Sequence, residues 1–182
     1  MPHFSWEFRT IHGEIHYAPS VHRMTMAFWL MKSEPHVYPW EQLVEDGETH
    51  WDGVRNYQAR NIMRDDMKIG DLVLFYHSNC KPPHVAGIAR VCQEAYPDFT
   101  ALDPESNYFD PKSSPENPRW MMVDIEPVKE LCEIVALGDM RENVELEGMP
   151  LLQRGQRLSV QPVSSDHFDT VCRMGGLDSS SL

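Results

Sequence analysis

Three long apolar stretches follow one another through the middle of the chain with no helical pattern between them, and this constrains the fold more than anything else in the sequence. They are DLVLFYHS from Asp71, HVAGIARVCQEAY from His84 and RWMMVDIEPVKEL from Arg119. The first has the length and composition of a buried strand. The second carries Gly87, which points to a bulge or a close backbone approach. The third alternates, with Trp120, Met122 and Asp124 on one side and Met121, Val123 and Ile125 on the other. A doubly wound parallel sheet needs a helix between successive strands, so that architecture is excluded. The pattern favours α+β, a small curved sheet or barrel flanked by helices. Neither GxGxxG nor GxxxxGK occurs, so a glycine-rich phosphate loop is absent as well.

The flanking segments supply the helices. AFWLMK, from Ala27, reads as a central strand ending at Lys32 and Ser33. Pro39 is placed as a first helical residue, and WEQLVED predicts a short helix with Trp40, Leu43 and Val44 inward, closed by Gly47. Residues 97–118 hold five prolines among Asp, Ser and Asn and read as a long surface loop, of the kind that often carries function. Gly138 and Asp139 start a short helix running to about Leu146. LSVQPV, from Leu158, is the last strand, with Pro162 placing it at an edge. Ser165 is read as the cap of a closing helix with Phe168, Val171 and Cys172 inward, ended by Gly175 and Gly176.

The 182 residues suggest one main domain, over 26–176, with a loose tail at 177–182. Residues 1–25 differ in character, with scattered His3, His12, His16 and His22. They read as an extension, an edge hairpin around His12 and Gly13, or sequence upstream of a true start at Met24 or Met26.

Sixteen basic residues against 28 acidic ones give a net charge of −12, which argues against coating nucleic acid nonspecifically. A nucleic-acid partner has to be gripped locally, by a pocket and a small basic patch. Cys80, Cys92, Cys132 and Cys172 form no CxxC pair and read as reduced thiols of a cytoplasmic protein, or a nuclear one in a eukaryotic cell. His77, Cys80 and His84 lie close in HSNCKPPH, but a fourth ligand is missing and Pro82 and Pro83 make a loop the simpler reading. No metal or other cofactor is expected. No apolar run is long enough to span a bilayer, and no membrane partner is expected.

The stretch richest in binding chemistry is WDGVRNYQARN, from Trp51 to Asn61. Asp52 and Gly53 make a short ordered loop, Asn56 sits as a helix N-cap, and Arg60, Arg64 and Lys68 recur at i, i+4, i+8. A loop presenting a ring and a helix presenting positive charge suit a flat ligand anchored through an anionic group. The plain reading stands beside it: Trp51 as a core ring, with Arg55 in a surface salt bridge to Asp52.

FWLMKSEP, WDGVRNYQARN, DLVLFYHSNC, GIARV, EAYPD, YFDPKS, NPRWMMVD and QRLSVQPV together resemble the EVE domain, from Met26 to about Gly176. The resemblance implies a PUA-like fold, a curved β-barrel of about five to six mostly antiparallel strands flanked by helices. It also implies kinship with the YTH domain, which cages a methylated adenine between aromatic rings. By that likeness the chain is a noncatalytic reader of a modified or flipped base in DNA or RNA. Trp51 is then the stacking platform, with Tyr76, Trp40 or Trp120 as a second ring. Lys32, Ser33, Gly53, Val54, Arg55, Asn56, His77 and Ser78 complete the pocket, and Arg60 and Arg64 contact phosphates. Two rival readings remain. One is an enzyme acting on a nucleotide or small anionic metabolite, with His77 as acid or base and Arg55 as anion clamp. The other is an interaction module using the proline-rich loop.

Overall fold

The structure, a computed structural model, describes residues 26–182, together with the backbone of two strands nearer the N-terminus, β1 (Trp6–Ile11) and β2 (Glu14–Pro19). These two pair antiparallel as a separate two-stranded sheet. His12 and Gly13, between them, and the scattered histidines before Met26 lie outside the residues whose side chains are described.

Six further strands make one sheet in the order β4, β7, β6, β5, β3, β8. In chain order they are β3 (Phe28–Ser33), β4 (Thr49–His50), β5 (Leu72–His77), β6 (His84–Pro97), β7 (Met121–Ala136) and β8 (Val160–Val163). Every neighbouring pair is antiparallel except β3 and β5. Those two are parallel because the chain between them crosses over through α1 (Trp40–Asp46), β4 and α2 (Tyr57–Asn61). Two more helices, α3 (Leu137–Glu142) and α4 (Ser165–Met174), complete the α+β architecture expected. Register shifts interrupt the β5/β6 and β6/β7 pairings, and such bulges bend and twist long strands. The hydrogen-bonded order stays open between β4 and β8 instead of closing into a ring.

Both faces of this sheet are covered, which explains the unbroken apolar run of β5. Val73 and Phe75 enter one core with Trp29, Met31, Trp40, Leu43, Trp51 and Met63. Leu72, Leu74 and Tyr76 enter the other with Leu30, Ile88, Phe168 and Val171. Each fully buried large side chain, Phe75 and Phe168 among them, contributes about 1.5–3 kcal/mol.

Where β3 and β5 begin side by side, buried Asp71 accepts from Ala27 N at 2.9 Å, Trp29 Nε1 at 2.8 Å and Lys68 N at 2.9 Å. Gly87 serves both roles expected of it: the register shifts on either side of it, and the Trp40 indole lies where a Cβ would come within 2.4 Å.

Several local expectations need correction. Pro39 is the N-cap of α1 and offers no side-chain acceptor, so the amide of Trp40 donates instead to His77 Nε2 at 3.2 Å. Val44 faces solvent, while Trp40 and Leu43 are buried. After Asn61 the helix widens into a π turn, Ile62–Asp66, which ends before Lys68 and breaks the i, i+4, i+8 row of cations. Ser164, one residue earlier than expected, caps α4. Residues 177–182 are not a loose tail: Asp178 caps a 3₁₀ turn, and Leu177 and Leu182 pack on the second core.

Candidate functional site

Trp51 extends β4 through a bond from its amide to Val123 O at 2.8 Å, and its indole meets Phe75 edge-on at a centroid distance of 5.6 Å. It is 9% exposed, a core ring with one surface on a cavity. Gly53 then turns the chain with φ of +70°, a left-handed conformation that costs a side chain strain. Its amide donates to Asp98 Oδ2 at 3.0 Å, and the Tyr108 ring packs where its Cβ would be, with ring carbons 2.7 Å from that point. Asn56 caps α2 as expected, accepting from Gln58 N at 2.9 Å and Ala59 N at 3.1 Å.

Arg55 is not a free anion clamp. It donates to Asp98 Oδ2 at 2.7 Å, Thr100 Oγ1 at 3.2 Å and Tyr108 O at 2.8 Å, while its guanidinium lies 5.5 Å from the Tyr108 ring centroid. Its salt bridge is with Asp98, not Asp52. Burial by itself pushes the Asp98 carboxyl up, but bonds from Thr100, Arg55 and Gly53 outweigh it and hold the group below its ordinary value. The proline-rich loop is thus stapled from within onto the Trp51 loop. Its far end is tied as well, since Asp110 accepts from Trp120 Nε1 at 2.7 Å and Arg119 Nη1 at 3.2 Å.

Between these loops and the end of β3 lies a cavity of about 730 Å³. Lys32, Ser33, Trp51, Gly53, Val54 and Arg55 line it, so the structure gathers these six of the expected pocket residues in one place. Two further aromatic residues, absent from the expected set, also line it: Tyr38, with its hydroxyl on Asp46 at 2.7 Å, and the exposed Tyr108. Asp52 is also in the wall, its carboxyl raised above the ordinary value by burial and then by the charge of Asp98. Ring surfaces beside a carboxyl and a lysine can hold a flat heterocycle, and the carboxyl can accept from its exocyclic amine.

The other expected residues are elsewhere. Tyr76 and Ser78 face a separate cavity of about 560 Å³, and Lys32 lines both cavities. Trp40 and Trp120 are buried and line neither. His77 is 4% exposed and lines neither cavity; with Nε2 held by the Trp40 amide, it is a helix anchor rather than a base-edge donor or an acid–base group. Asn56 spends its side-chain oxygen on the cap and lies outside both linings. Arg60 donates to Arg119 O at 2.7 Å and to Asn61, and Arg64 is paired with Asp65 at 2.7 Å. No group of three or more His, Cys, Asp or Glu side chains is arranged to hold a metal ion among the described residues.

Asp98 and Tyr108 escaped the sequence reading because they bond to Arg55 from 43 and 53 positions away. The one signal available was the length of the loop they belong to.

The family model described as the EVE domain matches residues 27–174. Human thymocyte nuclear protein 1 is 40% identical over 167 residues, covering 79% of this chain and 71% of that protein. A crystal structure of a Pseudomonas syringae protein superposes with a TM-score of 0.79 at 44% identity, covering 82% of this chain and 99% of the other. The crystal structure of human thymocyte nuclear protein 1 in complex with DNA containing 5-methylcytosine superposes with a TM-score of 0.75 at 38% identity, covering 82% and 97%.

Proposed function

This chain belongs to the EVE domain family, and from that premise we propose that it is a noncatalytic reader holding a modified or flipped base of nucleic acid in the cavity beside Trp51. The observation that carries the reading is the composition of that cavity's wall. Aromatic surface from Tyr38, Trp51 and Tyr108 faces the same space as Asp52, Ser33 and Lys32. The methylated DNA bound by the human relative supports nucleic acid as the ligand class here. A relative named for the nucleus supports that compartment where the cell has one.

Magnitudes favour a cavity of this kind. Stacking on an aromatic ring contributes about 1–3 kcal/mol per base, comparable with the few kcal/mol needed to unstack one. Burial of one added methyl contributes only about 0.8 kcal/mol, so discrimination needs shape and polar contacts as well. Asp52 supplies an acceptor suited to an amine such as that on C4 of cytosine. Trp51 acts as the inner wall, and the more exposed Tyr108 as the ring that meets the ligand.

The test is binding at one stated salt concentration to a matched panel of oligonucleotides carrying cytosine, 5-methylcytosine and other modified bases, as DNA and RNA, single- and double-stranded. Selective binding that weakens at least tenfold in Tyr108→Ala and in Asp52→Asn is the expected result. Undiminished selectivity in both variants would remove the base from this cavity. Trp51→Ala is a poorer probe, since losing a buried indole costs about 3–5 kcal/mol of stability.

A further inference from the structure

Lys32 lines a second cavity as well, of about 560 Å³, and its wall has an unusual charge. Lys32, Arg141, Arg154 and Arg157 all line it, and no Asp or Glu does. In a chain of 28 acidic and 16 basic residues this is a local reversal of sign. Arginines elsewhere are engaged: Arg55 with Asp98, Arg64 with Asp65, Arg119 with Asp110, and Arg60 with Arg119 O and Asn61. Arg141, Arg154 and Arg157 make no ion pair with a described residue.

We propose that this basic cavity seats the phosphodiester backbone of the strand whose base enters the Trp51 cavity, a proposal that rests on the reader function above. Like charges gathered without counter-ions repel one another, and an arriving anion relieves that repulsion. Arginine suits phosphate in particular, because its planar fork donates two parallel bonds. Neutral donors stand beside the cations, with Ser78, Asn79 and Gln153 in the same wall. Continuity argues for a polymer over a free anion: Lys32 lines both cavities, so a strand passing it places a base on one side and phosphates on the other. Lys32 is held at that junction by its backbone, whose amide donates to Ser159 O at 2.9 Å, and its Nζ lies 3.4 Å from Gln156 O.

The arrangement separates two kinds of contact. Phosphate contacts set affinity and register and carry no base information, whereas the wall of the Trp51 cavity would carry the discrimination.

The experiment is a salt titration of oligonucleotide affinity with the full chain, comparing the unaltered protein, the Arg154→Gln/Arg157→Gln double variant, and Arg173→Gln as a charge control. Arg154 and Arg157 are exposed and make no side-chain hydrogen bond or ion pair with a described residue, so thermal unfolding should be unchanged. Arg173 is paired with Glu145 and lies in neither cavity. For single strands, each phosphate contact contributes about 0.7 to the slope of log affinity against log salt, so the double variant should lose about 1.4 while its preference among bases persists. Arg173→Gln should leave the slope as it was. An unchanged slope in the double variant, with base preference intact, would overturn the backbone site and leave the reader standing. A reduced slope in a protein without base preference would uphold the backbone site and overturn the reader. Absence of nucleic-acid binding in the unaltered protein would overturn both.

Discussion

Replacing Asp98 by alanine should loosen the binding loop and cost much more stability than an ordinary surface charge. The Asp98 side chain has no solvent exposure, and that of its partner Arg55 has 22%. Four donors converge on the carboxylate: Gly53 N at 3.0 Å, Arg55 Nη1 at 2.7 Å, and the amide and hydroxyl of Thr100 at 2.8 and 2.5 Å. Removing one partner of a buried pair leaves the other charge uncompensated, and that costs about 3–5 kcal/mol, against about 0–1 kcal/mol for an exposed pair. Asp98→Ala should therefore lower the unfolding free energy by about 3 kcal/mol or more in urea denaturation, a large share of the roughly 5–15 kcal/mol available to a domain. Hydrogen exchange should locate the loss at residues 53–55 and 98–108, which the staple joins. A double-mutant cycle with Arg55→Ala should return a coupling above about 1 kcal/mol. Because the carboxyl is held below its ordinary value, its contribution is full above the unfolded carboxylate range and is lost as pH falls through the depressed folded value. A destabilisation below about 1 kcal/mol would place this pair in the exposed class and refute the staple.

Gly53→Ala should cost about 1–2 kcal/mol for the left-handed backbone alone. It should also weaken binding of the preferred oligonucleotide by displacing the Tyr108 ring, and undiminished affinity would separate that ring from the ligand. His77 is held neutral, its pKa lowered by burial and then by His84, with Glu41 opposing. Its contribution is therefore full above pH 6.5 and is lost as pH falls toward the lower folded value. His77→Gln should flatten that part of the pH–stability profile and leave base selectivity unchanged; lost selectivity would return the residue to the binding site.

What could be read from the chain was whatever depends on neighbours in sequence. The burial of β5, the bulge at Gly87, the cap at Asn56 and the edge position of Pro162 each follow from local composition, backbone freedom or a missing amide proton. Successive strands without intervening helices settled the α+β class, and the Trp51 loop was recognisable as the chemically dense stretch.

Tertiary structure decided which side of the sheet each of those residues serves. Side chains on a strand alternate between faces, so adjacent His77 and Ser78 at the end of β5 part company: one anchors α1 and the other faces the basic cavity. The sequence offered Arg55 an anionic ligand or nearby Asp52 as its partner, but distant Asp98 claims it. Arg141 and the neighbouring pair Arg154 and Arg157, from two separate segments, converge around one cavity with Lys32. The sequence by itself determined which elements form and where their chemistry is concentrated, because helix and strand patterns are local. Only the fold decided which charges are spent on one another and which remain for a ligand, because that depends on contacts closed across 40 or more residues, as between Arg55 and Asp98.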